Sequence, residues 1–239
     1  MKTVLVTGGS RGIGRAIVEL FSQNGYSVAF TYKKSENEAK SLAEATGAFA
    51  IKADSACEDD VLRAVSLVKE RFGKIDCLVN NAGVSSFSLF TDLTLDEWSE
   101  TLNVNLTGAF LYSREAAKDM IFRKSGRIIN ITSVWGLVGA SCEVHYSTAK
   151  AGLVGMTKAL AKELGPSGIT VNAIAPGVIE TEMNERLGAE VLSELAEESA
   201  LMRNGTPLEV AKSALFLAGD SADYITGQVI NVSGGFVIT

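Results

Sequence analysis

Apolar, β-rich runs alternate with amphipathic helical segments along the whole chain, and this alternation constrains the fold more than any other feature. Strands that are joined through helices pair in parallel, and helices then cover both faces of the sheet. The alternation therefore predicts an α/β fold with a doubly wound parallel sheet in a single domain. The predicted strands lie at residues 3–7, 27–32, 48–53, 75–80, 127–133, 169–174 and 228–232.

Composition excludes several classes of protein. Of 239 residues, 46% are hydrophobic and the formal net charge is only −6, which excludes a disordered chain. An acidic chain has no general attraction for phosphates, so we expect no nucleic-acid partner. No apolar run is long enough for a signal peptide or a membrane span. Cys57, Cys77 and Cys142 are odd in number and far apart, so we expect a soluble, cytoplasmic protein with reduced thiols and no bound metal.

Two segments carry the spacing of a helix-capping box, in which a hydroxyl and a later glutamate satisfy each other's backbone N–H groups. They are Ser35 with Glu38 and Thr94 with Glu97. Both pairs predict the start of a helix.

A long insertion follows the strand that ends at Ile174, because the next regular helix begins near Pro207 and only a short helix at 189–198 lies between them. Open α/β sheets place substrate lids after strand ends of this kind. We therefore predict a cofactor-binding half at about 1–133 and a catalytic half with a lid at about 134–239. An ordinary surface excursion is the alternative.

The first predicted strand leads directly into Thr7-Gly8-Gly9-Ser10-Arg11-Gly12-Ile13-Gly14, and a helix follows. Glycines here let a phosphate approach the backbone and the free N–H groups of a helix N-terminus, as in a Rossmann-type sheet. The spacing is G-x-x-x-G-x-G. Ile17 stands where the generic dinucleotide fingerprint has its third glycine, and the Gly-Lys pair of a P-loop is absent. The loop predicts a nucleotide site rather than a plain turn, and its expected contacts are Gly8, Ser10, Arg11, Gly12, Ile13 and Gly14.

The end of the second strand indicates which nucleotide binds. NAD-binding sheets usually carry an acid there, which accepts hydrogen bonds from the adenosine ribose. This strand ends Tyr32-Lys33-Lys34, and Arg11 lies in the glycine loop. Cations at these positions would complement a 2′-phosphate, so we predict NADP(H) rather than NAD(H), with Tyr32 and Lys33 at the adenosine end. Lysines of a solvated turn are the alternative.

Five motifs follow one another in a diagnostic order: the glycine loop at 7–14, Asn80-Asn81-Ala82-Gly83, Ser133, Tyr146-x-x-x-Lys150 and Pro176-Gly177. Together they resemble the short-chain dehydrogenase/reductase family over essentially the whole chain. Similarity is greatest to its 3-oxoacyl-[acyl-carrier-protein] reductases of fatty acid biosynthesis. The resemblance implies an NADPH-dependent oxidoreductase that reduces a ketone to a secondary alcohol. The substrate that it implies first is a 3-oxoacyl thioester, and the expected partner is a carbonyl substrate that is either a small molecule or carrier-bound.

The resemblance gives four residues a catalytic role. Tyr146 donates a proton to the substrate carbonyl oxygen, Ser133 donates a hydrogen bond to it, Lys150 lowers the tyrosine pKa and holds the nicotinamide ribose, and Asn105 helps to hold a water. Tyr146 and Lys150 are also i and i+4, so they share one face of a helix. A neighbouring ammonium favours the phenolate of tyrosine, whose ordinary pKa is ~10.

Further cofactor contacts follow from the same resemblance. Asp54 matches the acid that contacts adenine, with a helix-capping residue as the alternative. Thr181 occupies the position that binds the carboxamide. The remaining expected contacts are Asn81, Ala82, Gly83, Pro176, Gly177 and Ile179.

Two other classes of protein compete with this assignment. Ser147 and Lys150 have the S-x-x-K spacing of acylating serine enzymes, but the companion S-D-N and K-T-G elements are absent from the sequence. A non-catalytic nucleotide sensor would usually lack the tyrosine or the lysine. His145 is the only histidine, and we predict that it lines the mouth of the site or packs, since it does not share a helix face with Tyr146.

The substrate is less constrained than the reaction. An acidic carrier protein needs cations near the cleft, and Arg123, Lys124 and Arg127 are the candidates. The segment 180–203, however, contains seven glutamates and two arginines. Glu143 lies three residues before Tyr146, and the segment 134–144 is similar to a subgroup that reduces an aminopentanone group on a lysine of elongation factor P. A carboxylate that meets a substrate amine is therefore the second hypothesis.

The last sixteen residues, from Tyr224 onward, are uncharged and include Phe236-Val237-Ile238. In the family this end lies in a subunit interface. We therefore expect a homotetramer, or a homodimer as the smaller assembly, with burial inside the monomer as the alternative.

Overall fold

The structure is a computed structural model that describes residues 1–185 and 187–238. Its strands are β1 (Thr3–Val6), β2 (Ser27–Tyr32), β3 (Phe49–Lys52), β4 (Cys77–Asn80), β5 (Gly126–Ile131), β6 (Ile169–Pro176) and β7 (Val229–Val232). Its helices are α1 (Gly12–Gln23), α2 (Glu36–Thr46), α3 (Glu58–Phe72), α4 (Leu95–Leu102), α5 (Gly108–Arg123), α6 (Trp135–Val138), α7 (Val144–Leu164), α8 (Glu182–Glu185), α9 (Ala189–Glu197) and α10 (Pro207–Ala218). A π-helical turn, Asn103–Thr107, joins α4 to α5.

The strands form one sheet in the order β3-β2-β1-β4-β5-β6-β7, and every neighbouring pair is parallel. The predicted single-domain, doubly wound sheet is thereby confirmed. The chain leaves β1 in one direction and later returns to its other side with β4, so connections diverge between these two strands. Ligands of open α/β sheets bind in the crevice at that point, outside the carboxyl ends of the strands.

Alternate residues of the central strand β1 point to opposite faces of the sheet, and each face carries its own apolar core. Val4 and Val6 join a cluster with residues of α1, α2 and α10, whereas Leu5 joins a cluster with residues of α3, α5 and α7. All three side chains are fully buried. Burial on both faces explains why the strands are almost continuously apolar.

One of the two predicted capping boxes is confirmed. The Glu97 N–H donates to Thr94 Oγ1 at 3.2 Å and the Thr94 N–H donates to the Glu97 carboxylate at 2.9 Å. The pair Ser35 and Glu38 also marks the start of a helix, since α2 begins at Glu36, but its capping box does not form, because the Ser35 side chain makes no capping hydrogen bond. The backbone of Ser35, at φ −81° and ψ 67°, is not in the extended conformation that usually aims an N-cap hydroxyl at the helix.

The insertion after β6 contains α8 and α9, so the predicted short helix is confirmed. Its base is closed by a short parallel bridge between Ile179 and Gly205. The glutamates of α9 are exposed to solvent. Whether the insertion acts as a lid stays a prediction.

No helix in the described part of the chain is long and apolar enough to cross a bilayer. Among the same residues no cluster of histidine, cysteine and acidic side chains has the composition of a metal site. Cys77 is buried, Cys142 is half-buried and Cys57 is exposed, all as free thiols. The location of the protein in the cell stays a prediction from its sequence.

Candidate active site

The glycine loop lies at the crevice between β1 and β4, and its conformation depends on glycine. Gly8 and Gly12 have φ values of +63° and +52°, in the left-handed region. A Cβ on Gly14 would stand 2.2 Å from the Gly8 carbonyl oxygen. The loop ends at α1, whose N-terminus has no side-chain cap. Backbone N–H groups at an uncapped helix start, next to a loop without side chains, fit the pyrophosphate of a dinucleotide.

The turn after β4 is hydrogen-bonded to the start of the glycine loop. Thr7 Oγ1 accepts hydrogen bonds from the backbone N–H groups of Asn81 and Ala82, at 3.0 and 2.9 Å. Asn81 Nδ2 donates in return to the carbonyl oxygens of Thr7 and Gly8, both at 3.0 Å. Thr7 has this role without having been predicted as a site residue, although its position directly before the first glycine was a signal.

Two of the three cations predicted at the adenosine end, Lys33 and Arg11, make ion pairs within the protein. Lys33 Nζ lies 2.6 Å from Asp54 Oδ2, and Arg11 Nη1 lies 3.2 Å from the Glu182 carboxylate of α8. The hydrogen bond to Asp54 raises the pKa of Lys33. Asp54 also accepts from the Ala56 N–H at 3.0 Å, in a local turn before α3. The helix-capping alternative for Asp54 is wrong, because the N-cap residue of α3 is Cys57 and the helix has no side-chain cap.

Tyr146 and Lys150 lie on one face of α7, beside the carboxyl end of β5. Lys150 Nζ donates to the Ile131 carbonyl oxygen at 2.9 Å and lies 5.6 Å from the centre of the Tyr146 ring. Thr132 Oγ1 donates to the Lys150 carbonyl oxygen at 2.8 Å. Ser133 follows directly and is buried. Ile131 and Thr132 at the end of β5 thus hold Lys150, which lies beside Tyr146, and the predicted Ser133 is the next residue along the chain. The sequence pattern did not indicate the contribution of Thr132.

Burial lowers the pKa of Lys150 to about 8, because an ammonium group loses its hydration inside the protein. The amine is still mainly protonated at pH 7. A buried ammonium close to a tyrosine ring is the electrostatic arrangement that a proton-donating phenol requires.

Asn105 lies in the π-helical turn, a kind of helix distortion that is frequent at functional sites. Its Nδ2 donates to the carbonyl oxygens of Val84 and Thr101, at 2.8 and 2.9 Å. Its Oδ1 is buried and has no hydrogen-bond partner among the described residues. A Cβ on Gly83 would stand 2.6 Å from this oxygen and 3.5 Å from Lys150 Nζ, so both polar atoms face the same glycine.

The segment after β6 approaches the glycine loop from the other side. The Pro176 carbonyl oxygen accepts from the Val134 N–H at 3.0 Å, and Gly177 packs so tightly that a Cβ would stand 2.8 Å from Ser233. Ile179 is buried. The Thr181 methyl group lies 3.4 Å from the position of a Cβ on Gly12, so Thr181 faces the loop.

The contacts of Ser147 and His145, which both neighbour Tyr146 in the sequence, argue against nucleophilic catalysis by serine. Ser147 Oγ accepts a hydrogen bond from the Ala140 N–H at 3.1 Å, and Lys150 Nζ is directed at Ile131. His145 is fully buried, and its Nε2 lies 2.8 Å from Ser86 Oγ. Of the two predicted places for His145, the structure shows packing rather than the mouth of the site.

The cations expected to receive a carrier protein lie at the wrong end of the sheet. Arg127 is near the amino end of β5, whereas Ser133 lies beyond its carboxyl end, roughly 20 Å away at about 3.3 Å per residue. Arg127 pairs with Asp223, and Arg123 pairs with Asp119 and Asp76. The prediction failed because adjacency in sequence to a strand does not say which end of the strand carries the site.

A Rossmann-type sheet with this glycine loop and this serine, tyrosine and lysine arrangement defines a nicotinamide-dependent oxidoreductase of carbonyl and hydroxyl groups. Comparisons with known proteins agree. Residues 8–237 match a family model described as enoyl-(acyl carrier protein) reductase. The chain belongs to the short-chain dehydrogenase/reductase family.

Similar proteins match over almost their full length. The 3-oxoacyl-[acyl-carrier-protein] reductase FabG of Aquifex aeolicus is 44% identical over 98% of this chain and 96% of its own. The 3-oxoacyl-[acyl-carrier-protein] reductase of Synechocystis is 43% identical over 99% and 97%. Among solved structures, a double mutant of a Serratia marcescens short-chain dehydrogenase/reductase has a TM-score of 0.92 at 40% identity, covering 98% of this chain and 97% of its own. A putative gluconate dehydrogenase from Agrobacterium tumefaciens has a TM-score of 0.94 at 33% identity, covering 100% and 97%.

Proposed function

We propose that the protein is an NADPH-dependent reductase that converts the ketone of a 3-oxoacyl thioester to a secondary alcohol. The observation that carries the reaction is the buried Lys150 ammonium beside Tyr146 at the strand end that precedes Ser133. The thioester substrate is supported by the names of relatives that are more than 40% identical over nearly the whole chain.

The residues of the chain position the substrate and supply the proton. Ser133 and the Tyr146 hydroxyl bind the carbonyl oxygen, and Tyr146 transfers its proton to that oxygen as negative charge develops there. Lys150 stabilises the phenolate that this leaves and binds the nicotinamide ribose. A bound nicotinamide supplies the hydride that the reduction needs.

The proton of Tyr146 must be replaced after each turnover. Asn105 Oδ1 and Lys150 Nζ both face Gly83, and an orphaned acceptor opposite an ammonium group suits a bridging water. We assign this pair the role of holding a water that connects the lysine to solvent.

NADP(H) is proposed over NAD(H) because Arg11 and Lys33 are the cations at the adenosine end. Each has a carboxylate partner, Glu182 for Arg11 and Asp54 for Lys33, and both pairs are partly exposed. Exposed ion pairs contribute only about 0–1 kcal/mol, so a 2′-phosphate, which accepts stronger charge-assisted hydrogen bonds, can displace them.

The test of the function is loss of NADPH absorbance with acetoacetyl thioesters of a carrier protein and of coenzyme A. We expect turnover of both, with kcat/KM about tenfold higher for the carrier form, for which the relatives are named. We also expect kcat/KM to be about tenfold higher with NADPH than with NADH. Saturable NADPH binding without turnover of either thioester would reject the substrate and retain the cofactor.

A second candidate substrate is a ketone that carries an amine, such as the aminopentanone group on a lysine of elongation factor P. The observation that favours it is Glu143, a carboxylate that is only 6% exposed, lies three residues before Tyr146 and accepts a hydrogen bond from Ser85 Oγ. A negative charge enclosed near the catalytic tyrosine suits a cationic substrate better than an acidic carrier.

Replacing Glu143 with Gln distinguishes the two substrates, since glutamine can still accept the hydrogen bond from Ser85 but has no charge. Two probes are compared: a methyl ketone ending in a dimethylammonium group and its isosteric isopropyl analogue. If an amine is the natural group, the preference of the wild type for the cationic ketone falls by about tenfold in Glu143→Gln. An unchanged preference would reject the amine hypothesis.

We propose a homotetramer, with a homodimer as the smaller assembly. The apolar tail is divided in the monomer: the Phe236 ring packs on Trp135 with their centres 5.4 Å apart, whereas Tyr224 and Ile238 are exposed. Phe122 of α5 is also 88% exposed. Apolar side chains exposed this far suit an interface between subunits, and sedimentation as a monomer at micromolar concentration would reject the proposal.

A further inference from the structure

The loop that follows the turn at 80–83 is fastened to the segment that precedes the catalytic tyrosine. Ser85 Oγ donates to the Glu143 carboxylate, and Ser86 Oγ lies 2.8 Å from His145 Nε2. The two adjacent serines thus contact two residues that flank Val144. We call these two contacts, Ser85–Glu143 and Ser86–His145, the serine clamp.

Backbone contacts continue the clamp on both sides. The Ser88 N–H donates to the Cys142 carbonyl oxygen at 3.0 Å, and the Val84 carbonyl oxygen accepts from Asn105 Nδ2 at 2.8 Å. The loop is therefore held against both the π-helical turn and the approach to α7.

The position of the clamp matters because α7 begins at Val144 and Tyr146 is its third residue. The first turn of a helix has backbone N–H groups without intrahelical partners, and it frays unless it is capped or packed. Glu143 is the N-cap residue, and its carboxylate accepts from Ser85 while the helix receives no side-chain cap from it. The first turn, with the catalytic tyrosine in it, therefore depends on contacts from outside the helix.

Burial of the His145 side chain lowers the stability of the folded protein. It is fully buried, and its Nδ1 has no hydrogen-bond partner among the residues that the structure describes. An unsatisfied buried nitrogen is unfavourable, and an apolar side chain would avoid it. A packed residue with such a cost to stability points to a role in addition to packing, and the contact with Ser86 is the one that the geometry provides.

We infer that Ser85, Ser86, Glu143 and His145 are positioning residues, and that the serine clamp holds the first turn of α7 so that Tyr146 stays in its proton-donating position. This inference rests on the proposed role of Tyr146. Loss of the clamp lowers the fraction of molecules with Tyr146 in place, which lowers kcat by the same factor and leaves cofactor affinity unchanged.

The test uses the full chain with Ser86→Ala, the double variant Ser85→Ala with Ser86→Ala, and the rescue variant Ser86→Thr, which retains a hydroxyl. Ser66→Ala, which removes an exposed serine hydroxyl from α3, is the matched control. Readouts are amide hydrogen exchange of residues 144–147, NADPH dissociation constant, melting temperature, and kcat and KM with acetoacetyl coenzyme A.

We expect the double variant to exchange the amides of 144–147 about tenfold faster than the wild type, and kcat to fall by about the same factor while the NADPH dissociation constant stays within about twofold. Ser86→Thr and Ser66→Ala should resemble the wild type. Faster exchange throughout the chain, or unchanged exchange at 144–147, would overturn the clamp. The exchange readout needs no turnover, so failure of the proposed substrate is distinguishable from failure of the clamp.

A second pair of variants tests the serine clamp by changing His145 and leaving both serines in place. His145→Gln can place a polar atom near the position of Nε2, whereas His145→Leu removes the contact and the orphaned nitrogen together. We expect His145→Leu to melt at the same or a higher temperature than the wild type, while its kcat falls about tenfold. We expect His145→Gln to keep most of the wild-type kcat. Equal kcat in both variants would overturn the role of His145.

Discussion

Tyr146→Phe is expected to lower kcat/KM for the ketone about a thousandfold while NADPH binds with unchanged affinity. The substitution removes only the hydroxyl, so the aromatic ring keeps its place 5.6 Å from Lys150 Nζ. Without that hydroxyl no proton donor of the chain is assigned to the carbonyl oxygen, and Ser133 alone donates a hydrogen bond to it. The measurement is the rate of NADPH oxidation at saturating and limiting substrate, with NADPH affinity followed by fluorescence titration.

Tyr224→Phe is the matched control for this experiment, because the Tyr224 side chain is fully exposed and its hydroxyl can be removed without disturbing a packed region. Its kinetics should equal those of the wild type. If Tyr146→Phe kept more than about a tenth of wild-type kcat/KM, the assignment of Tyr146 as proton donor would be wrong.

Lys150→Met is expected to have opposite effects on activity and on stability. Activity should fall about a thousandfold, because the phenolate of Tyr146 and the nicotinamide ribose both lose the ammonium group. Stability near neutral pH should rise, because methionine fills a similar volume without the hydration loss that lowers the pKa of Lys150 to about 8. The loss of the hydrogen bond to the Ile131 carbonyl oxygen offsets part of this gain.

The pH dependence of the stability gain in Lys150→Met follows from the direction in which burial shifts the pKa of Lys150. The pKa of Lys150 is about 8 in the folded protein, against an ordinary lysine pKa of 10.5, so the unfolded chain binds more protons between these two pH values. The contribution of Lys150 to stability is therefore unfavourable below pH ~8 and becomes less so as the pH rises toward ~10.5. The shift corresponds to about 3 kcal/mol. The melting-temperature advantage of Lys150→Met should be largest below pH ~8 and shrink at higher pH.

Denaturation of wild type and Lys150→Met across this pH range tests the prediction. Lys158→Met serves as the control, since Lys158 is an exposed lysine of the same helix and should change neither activity nor the pH dependence. A constant difference in melting temperature from pH ~7 to pH ~10 would contradict a buried, titrating Lys150.

Local patterns in the sequence predicted much of this protein because their physical causes act over a few residues. The glycines at 8–14 specify a loop that other residues cannot form, and the spacing of Tyr146 and Lys150 places both on one helix face. The Thr94–Glu97 box formed because its two partners are three residues apart. Ser35 with Glu38 has the same spacing and failed, since the backbone at Ser35 is turned away from an extended conformation. Spacing is therefore necessary for a cap but does not ensure it.

The sequence alone predicted the class of fold, the order of its strands along the chain and a nucleotide-binding loop, and its resemblance to the family predicted the candidate catalytic residues. Tertiary structure decided which distant residues meet. It paired Lys33 with Asp54, left Asn105 Oδ1 opposite Lys150, placed Arg127 at the far end of the sheet and joined Ser86 to His145, fifty-nine positions apart. Such contacts depend on the spatial order of strands and on the path of the loops between them, and no short-range preference of the backbone encodes either.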